Sequence, residues 1–554
     1  MLAEFVRCTP EAPAVSGPDA VLDYRSLGAG ITKIARELTE RGLRAGDLVA
    51  ISLPPSAAGI CAALGVLTAG GILLPLDISQ PPLRRADLAT RAGVRFIISA
   101  TESTDPQIAV TSSTPRRFDE GSDAAYVIFT SGSTGHPKGV VCTHDALHNV
   151  ARAQRTVLDV RPTDRVAQIA PWCVDAFLFE ILLAVTAGAC LHIATAAERY
   201  PGLPLERFLV GSHSTVAVAT PSSLRACEPG GIADLRLVIS AGEAIEPDLA
   251  TRWAKGRELV NAYGVTEATI WTTYSVIDEQ SLKSADFIPL GNPVPGCSLE
   301  LLDENLEPVP AGTPGQICIG GTGLAIGYLE DAAADAASFP VRTGDRLFLT
   351  GDFGVRLQDG RIRFIGRRDE QVKMSGLRVE LGEVGRMLAR HPSIRDCVVR
   401  RHDDRLVAYL VPDEVDTFDR SAVIAWMEQR LPVQMVPTLY APMAALPLTA
   451  WGKLDHRALP DPDAVMATQR DPKPPQSDPT QAYLGQIVPH LLKVGAVAAD
   501  DDLFMLGLTS LTMARLLRQI YTDLQVDIEP VDVFENPTLG EIARLIDLRR
   551  RSAP

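Results

Sequence analysis

Tyr126-Val-Ile-Phe-Thr130-Ser-Gly-Ser-Thr-Gly-His-Pro-Lys138-Gly139 is the stretch on which the reading of this chain turns. It opens as an apolar strand and runs into a loop dense in hydroxyls and glycines. Thr130, Ser131, Gly132, Ser133, Thr134 and Gly135 offer N–H and O–H donors that can wrap a polyphosphate, and Lys138 adds a point charge. The plain alternative is a surface turn. The loop is not a Walker A loop, because Pro137 stands where that pattern needs glycine before its lysine. It is not a nucleophile elbow either, because Ser131 takes the place of the first glycine. Alone, the loop indicates phosphate and names no reaction.

Around it, apolar strand-like runs alternate with helical stretches. Arg95-Phe-Ile-Ile-Ser and Leu235-Arg-Leu-Val-Ile-Ser read as strands, and Ile31 to Arg41 as a helix with Ile31, Ile34, Ala35 and Leu38 on one face. This alternation predicts an α/β fold with largely parallel sheets. At 554 residues the chain is too long for one core. The expected division is 1–368, a large first unit; 369–460, a smaller one; 461–479, a linker with prolines at 462, 472, 474, 475 and 479; and 480–554, a small helical bundle. In the last, Met513, Leu516, Leu517 and Ile520 place an apolar stripe on one helix.

Composition excludes some functions. A net charge of −15 argues against a general nucleic-acid or anionic-membrane binder. The apolar run from Val49 to Leu76 is interrupted by Pro54, Pro55, Gly59, Gly65, Gly70 and Gly71, and reads as buried helix and strand rather than a membrane span. The N-terminus does not read as a signal peptide. Nine cysteines, none in a C-x-x-C pair, argue against zinc and suit free thiols in a reducing cytoplasm.

Further segments fall in a fixed order: Leu22-Asp-Tyr-Arg-Ser-Leu27, Leu67 to Asp77, the phosphate loop, Asn261-Ala-Tyr-Gly-Val-Thr-Glu267, Gly315 to Gly323, Thr350-Gly-Asp352, Gly366-Arg-Arg-Asp369-Glu-Gln-Val-Lys373, Leu431 to Pro437 and Gly452-Lys453-Leu-Asp455. In that order they resemble the adenylate-forming superfamily, and within it the adenylation domains of nonribosomal peptide synthetases. Asp502-Leu-Phe-Met-Leu-Gly507-Leu-Thr-Ser510-Leu511 resembles the phosphopantetheine attachment site of peptidyl carrier domains. The resemblance implies an α/β (α+β) adenylate-forming fold, with a large N-terminal core and a small C-terminal subdomain, followed by an all-α carrier bundle.

It also implies a reaction. ATP and Mg²⁺ activate an amino-acid carboxylate as its adenylate, and the acyl group passes as a thioester to 4′-phosphopantetheine on Ser510. Lys453 would bridge carboxylate and phosphorus, Thr266 would touch phosphate, and Glu267 would hold Mg²⁺. Asp352 would accept the ribose hydroxyls, with Arg367 and Lys373 beside it, and Tyr263 would stack on adenine. Gly242, Asn261 and Phe364 complete the nucleotide site. Asp369 is the implied hinge about which the small subdomain rotates between the two half-reactions.

Asp175 points to an amino acid, since a buried carboxylate needs a cationic partner and an α-ammonium supplies one. The positions carried over for the pocket are Ala176, Phe179, Ala219, Ile239, Ala241, Ala262, Ile270 and Trp271. All are apolar, which predicts a neutral apolar substrate side chain. Val265, Ile326, Trp451, Phe177, Leu508 and Thr509 depart from the usual pattern without removing an assigned group.

The expected partners are a phosphopantetheinyl transferase, a small activating (MbtH-like) protein and a downstream condensation or tailoring enzyme, with no nucleic acid and no membrane. The chain would then be a loading didomain. Two alternatives stay open: an acyl-CoA synthetase-like ligase for a non-amino acid, and a carrier or docking protein with a degenerate adenylation half.

Overall fold

The computed structural model describes all residues except 101–105, 112–114, 120, 132–135, 279–281, 283–285, 368–370, 375–376, 403–404, 415–417, 448–453, 456–457, 463–477, 493, 505 and 553–554; of Gln371, Lys373 and Ser552 it describes the backbone. Gly132, Ser133, Thr134, Gly135, Asp369 and Lys453 therefore lie outside the described residues, as does most of the expected linker.

The largest sheet has nine strands. Its middle is parallel, in the order Glu258–Tyr263, Leu237–Ala241, Val216–Ala219, Arg165–Gln168, Cys190–Ile193 and Pro13–Ser16. Antiparallel strands close both edges: Thr273–Ile277 with Asn292–Pro293, and Val21–Asp23. The second sheet has seven strands. It is parallel across Phe96–Ala100, Leu48–Ser52, Ile72–Pro75 and Ala124–Thr130, then antiparallel through Lys138–Thr143 to Gly327–Tyr328. Strands buried on both faces read as unbroken apolar runs, as Ile72–Pro75 does.

The two sheets share one core. Val49, Ile51 and Leu73 of one sheet and Val166, Leu191 and Ile239 of the other belong to a single buried cluster with the helices Tyr24–Glu40, Ala57–Thr68, His144–Val157 and Ala176–Val185. Val49 to Leu76 is thus strand, buried helix and strand. No helix among the described residues is long and apolar enough to cross a membrane. Close packing dictates Gly59, because a Cβ there would come within 2.4 Å of the Trp172 ring.

The expectation of largely parallel sheets holds for the middles of these two. It fails for a third sheet of five strands, Cys297–Leu302, Pro314–Gly321, Val341–Arg342, Asp345–Arg356 and Ile362–Arg367, which is antiparallel throughout. Short turns join Val341–Arg342, Asp345–Arg356 and Ile362–Arg367 in succession, and such turns permit antiparallel pairing only, whereas the path from Pro314–Gly321 to Val341 passes through Gly327–Tyr328 of the second sheet and the helix Ala332–Ser338.

Beyond it, the hairpin Gln371–Met374/Leu377–Glu380 leads to a three-stranded sheet flanked by the helices Leu381–Leu388 and Arg420–Glu428, with a core of its own. This unit meets the first through a buried ion pair: Arg84 Nη2 lies 2.8 Å from Glu383 Oε1, the side chains being 9% and 1% exposed.

The last unit is a bundle of Pro479–Leu492, Ser510–Leu524, Pro530–Glu535 and Leu539–Ser552 around a separate apolar cluster. Its second helix lies on the helices Leu203–Gly211 and Pro221–Ala226 of the first unit. Arg518 pairs with Glu206 and donates to the Ala226 carbonyl at 3.2 Å, and Arg207 reaches the Asp527 carboxylate at 2.7 Å.

The Arg84–Glu383 pair yields a test. Arg84→Ala leaves Glu383 buried without its guanidinium, which should weaken the seating of the helix Leu381–Leu388 by about 3 kcal/mol. Hydrogen exchange in that helix is expected to speed up while exchange in Leu48–Ser52 stays as it was. Equal exchange in both proteins would contradict this.

Candidate active site

The strand Glu258–Tyr263 sits where parallel and antiparallel pairing meet, and its C-terminal end carries most of the site. Asn261, Ala262 and Tyr263 end the strand, and Thr266–Ala268 follow as a short 3-10 turn. The chain then passes through Thr269 and Ile270 with φ of +53° and +73°. Left-handed backbone at two β-branched residues in a row is strained, and such strain clusters at functional sites. Gly264 allows the return: a Cβ there would lie 2.3 Å from the Ile270 carbonyl and 2.4 Å from Trp271 Cα.

Glu267 is wholly buried on this turn. Its Oε1 accepts from the Tyr328 hydroxyl at 3.0 Å and from Arg378 Nη1 at 3.0 Å, and Arg378 reaches Oε2 at 3.2 Å. Burial, reinforced by Glu267, holds the Tyr328 phenol well above its ordinary pKa, so it stays a donor. The Lys138 ammonium lies 4.9 Å from the centre of the Tyr328 ring. The phosphate-loop lysine and the turn carboxylate thus meet around one tyrosine. Ser131 Oγ donates to the Arg378 carbonyl at 2.8 Å, tying the loop's first serine to the same hairpin.

Arg378 and Tyr328 were not foreseen. Both lie outside the segments on which the resemblance rests, and Arg378 is 111 residues from Glu267 in sequence. A carboxylate with a single buried position suits Mg²⁺, which keeps water and phosphate oxygens for its remaining places. Among the described residues no cluster of three or more His, Cys, Asp or Glu could hold a metal, so protein ligation here would rest on Glu267. In the present arrangement a guanidinium holds both of its oxygens, so cation and Arg378 are alternative partners.

A second group surrounds Asp352, which is 2% exposed. Arg367 Nη1 donates to its Oδ1 at 2.6 Å, and the Tyr263 hydroxyl donates to Oδ2 at 2.7 Å. Tyr263 and Phe364 pack on the same small cluster as Leu299 and Ile362. Asn261 Nδ2 donates to the Pro289 carbonyl at 2.9 Å, and Gly242 has a φ of +88° that favours glycine. The sequence-derived nucleotide residues Tyr263, Asp352, Phe364 and Arg367 are therefore brought together.

Asp175 opens the helix Ala176–Val185, where a capping side chain is usual, yet its carboxylate makes no capping hydrogen bond. Its Oδ2 is buried with no hydrogen-bond partner among the described residues. Burial pushes the Asp175 pKa up to about 6; Thr266 lowers it and the Glu267 charge raises it. Phe179 and Trp271 meet edge to face at 5.1 Å in the cluster that includes Ile239 and Ala262. Ala176, Ala241 and Ile270 pack against that cluster.

Ala219 is placed differently. It packs with Leu205, Phe208 and Trp253 in the cluster on the other face of its strand, while its neighbour Val218 is in the Phe179 cluster. Alternation along the strand separates the two.

With this geometry in hand, comparison with known proteins is direct. The model of the AMP-binding enzyme family matches residues 2–329, and that of the phosphopantetheine attachment site matches residues 482–546. The chain belongs to the AMP-binding enzyme family. Novobiocin biosynthesis protein H of Streptomyces niveus is 33% identical over 98% of this chain and 95% of its own length. Bacitracin synthase 3 of Bacillus licheniformis is 33% identical over 99% of the chain, which spans only 9% of that synthetase. Among solved structures, holo-PA1221, described as an NRPS protein containing adenylation and PCP domains bound to a vinylsulfonamide inhibitor, superposes with a TM-score of 0.81. It is 27% identical, and the match covers 99% of this chain and 96% of that one. The fold is thus the adenylate-forming one followed by a helical carrier domain. ATP with Mg²⁺ and 4′-phosphopantetheine are the groups such domains use.

The close approach at Gly264 can be tested in this adenylate-forming enzyme. Gly264→Ala must push back the Ile270–Trp271 wall, at a cost of roughly 1–3 kcal/mol. A lower unfolding midpoint with altered tryptophan fluorescence is expected; an unchanged midpoint would contradict the geometry.

Proposed function

We propose that the chain adenylates a neutral apolar amino acid with ATP and passes it, as a thioester, to the phosphopantetheine arm on Ser510, as a loading didomain in nonribosomal peptide or related natural-product biosynthesis. The observation that carries the amino-acid reading is Asp175: a buried carboxylate with one oxygen unpartnered among the described residues, beside apolar walls. An α-ammonium would satisfy it, whereas an acid without an amine would leave it buried and unmatched. The apolar neighbours disfavour a charged side chain for the same reason.

The remaining roles follow from charge. Joining two anions requires donors and cations, and Lys138, Thr266 and Arg378 gather near Glu267. Lys453 is assigned to the carboxylate and phosphorus, and the Asp352–Tyr263–Arg367 group to the ribose. Glu267 would hold Mg²⁺ once Arg378 withdraws, which fits a subdomain that turns about Asp369. We take 1–368 as the core, 369–460 as the subdomain, 461–479 as the linker and 480–554 as the carrier. The arm supplies a thiol on a long tether, and tethering raises its effective concentration at the adenylate. A phosphopantetheinyl transferase, an MbtH-like activator and a condensation or tailoring enzyme are the proposed partners, in the cytoplasm.

Amino-acid-dependent exchange of labelled pyrophosphate into ATP tests this reading. Exchange with one apolar amino acid is expected. It should fall at least a hundredfold in kcat/KM in Asp175→Ala, about 3 kcal/mol for one half of a buried pair, and in Lys453→Ala, yet persist in Ser510→Ala. Exchange with an acid lacking the amine, or none with any amino acid in the presence of an activating protein, would overturn it.

The pH dependence gives a second test. Below about 6 Asp175 takes up a proton and loses the charge that pairs with ammonium. Thus kcat/KM for the amino acid should rise with pH through about 6, and Asp175→Asn should lack that limb. A rise retained in Asp175→Asn would contradict the assignment.

A further inference from the structure

Tyr200 is a core residue that packs into the carrier. It follows the strand Cys190–Ile193 and belongs to the first unit, yet its ring packs with the carrier's apolar cluster. It meets Phe534 edge to face at 6.5 Å, and Phe534 stacks on Phe504 at 5.2 Å. Both phenylalanines are carrier residues. The Tyr200 hydroxyl is buried with no partner in hydrogen-bond geometry among the described residues, and the Ser510 side chain is near enough to favour its ionised form slightly against the burial that opposes it. Burial also holds the phenol's pKa up to about 12, which keeps it a donor.

Ser510 begins the helix Ser510–Leu524, whose N-cap Thr509 exchanges side-chain hydrogen bonds with Thr512. A helix N-terminus favours an anion, and the group that Ser510 carries is joined to it by a phosphodiester. This arrangement sets one buried O–H donor of the core beside Ser510. A phosphodiester oxygen on Ser510 would be a stronger acceptor for it than the serine hydroxyl.

We propose that Tyr200 is a positioning residue for carrier loading: its hydroxyl donates a hydrogen bond to the phosphodiester of the arm on Ser510 and so registers the carrier on the core. The proposal rests on the carrier reading above. The contacts around Tyr200 fix the same register: Arg518 with Glu206, Arg207 with Asp527, and Gly202, where a Cβ would come within 3.0 Å of the Ala514 methyl. They align the helix but reach no part of the arm. Tyr200 alone among them faces Ser510.

The test uses the full holo chain and its Tyr200→Phe variant, which keeps the ring and removes only the hydroxyl. Three quantities are read from each: pyrophosphate exchange, the single-turnover rate of loading, and the phosphorus-31 resonance of the phosphodiester. In Tyr200→Phe, exchange should stay as in wild type, loading should slow roughly tenfold as for loss of one hydrogen bond to a charged group, and the phosphorus resonance should move toward that of the same phosphodiester in the unfolded holo chain. A phosphorus resonance identical in the two proteins overturns the proposal, whatever the loading rate does. Absence of exchange in both proteins would count against the adenylation reading instead, and the phosphorus comparison would still decide the role of Tyr200.

Discussion

A buried carboxylate must be matched by a cation, and in this molecule that constraint falls on Glu267. The residue has no exposure to solvent, and it sits at the turn that follows Glu258–Tyr263, the strand of the largest sheet where parallel and antiparallel pairing meet. Its neighbours come from three places: Tyr328 from the edge of the second sheet, Lys138 over that tyrosine, and Arg378 from the hairpin of the smaller unit. Matching one charge therefore draws together the phosphate loop, both core sheets and the small unit. Arg378 reaches both oxygens, so the carboxylate is neutralised by protein; under the proposed function, withdrawal of Arg378 would leave the same oxygens for Mg²⁺.

The strain around Glu267 belongs to the same account. Thr269 and Ile270 adopt a left-handed backbone that β-branched residues avoid, and Gly264 is stripped of a side chain so that their loop can lie against it. The consequence is a fixed wall: Ile270 and Trp271 stand opposite Phe179, next to Asp175. Packing, not propensity, sets the shape of this wall.

Much of this was legible in the sequence because its determinants are local. Unbroken apolar runs such as Ile72–Pro75 announce strands buried on both faces, and the glycines and prolines between Val49 and Leu76 divide strand from helix. Asp352 and Arg367 lie on paired strands of one sheet, and Tyr263 reaches Asp352 from the end of a strand in another, so the motifs named residues that the fold brings within hydrogen-bond distance. What stayed hidden depends on distant parts of the chain. Arg378 and Tyr200 have unremarkable neighbours in sequence and acquire meaning only when the small unit and the carrier dock. Ala219 shows a different limit: in a strand one step reverses the face, and no local signal distinguishes it from Val218. The antiparallel third sheet was missed because its strands alternate between buried and more exposed positions, unlike the unbroken apolar runs around it, and an excursion through Gly327–Tyr328 and the helix Ala332–Ser338 splits it in sequence.

The carrier extends the same physics to assembly. Its apolar cluster is its own but for Tyr200 of the core, and its second helix rests on the core through a few charge pairs and that tyrosine. Core and carrier are thus parts of a single device, whose product should be an acyl group on the carrier itself. The most direct measurement is the intact mass of the holo chain after incubation with ATP, Mg²⁺ and a mixture of the amino acids found in proteins. The account predicts a gain equal to one neutral apolar amino acid less one water, located on the arm at Ser510. An unchanged mass with every such amino acid, in the presence of an activating protein, would contradict it, as would acylation by an acid that has no amine.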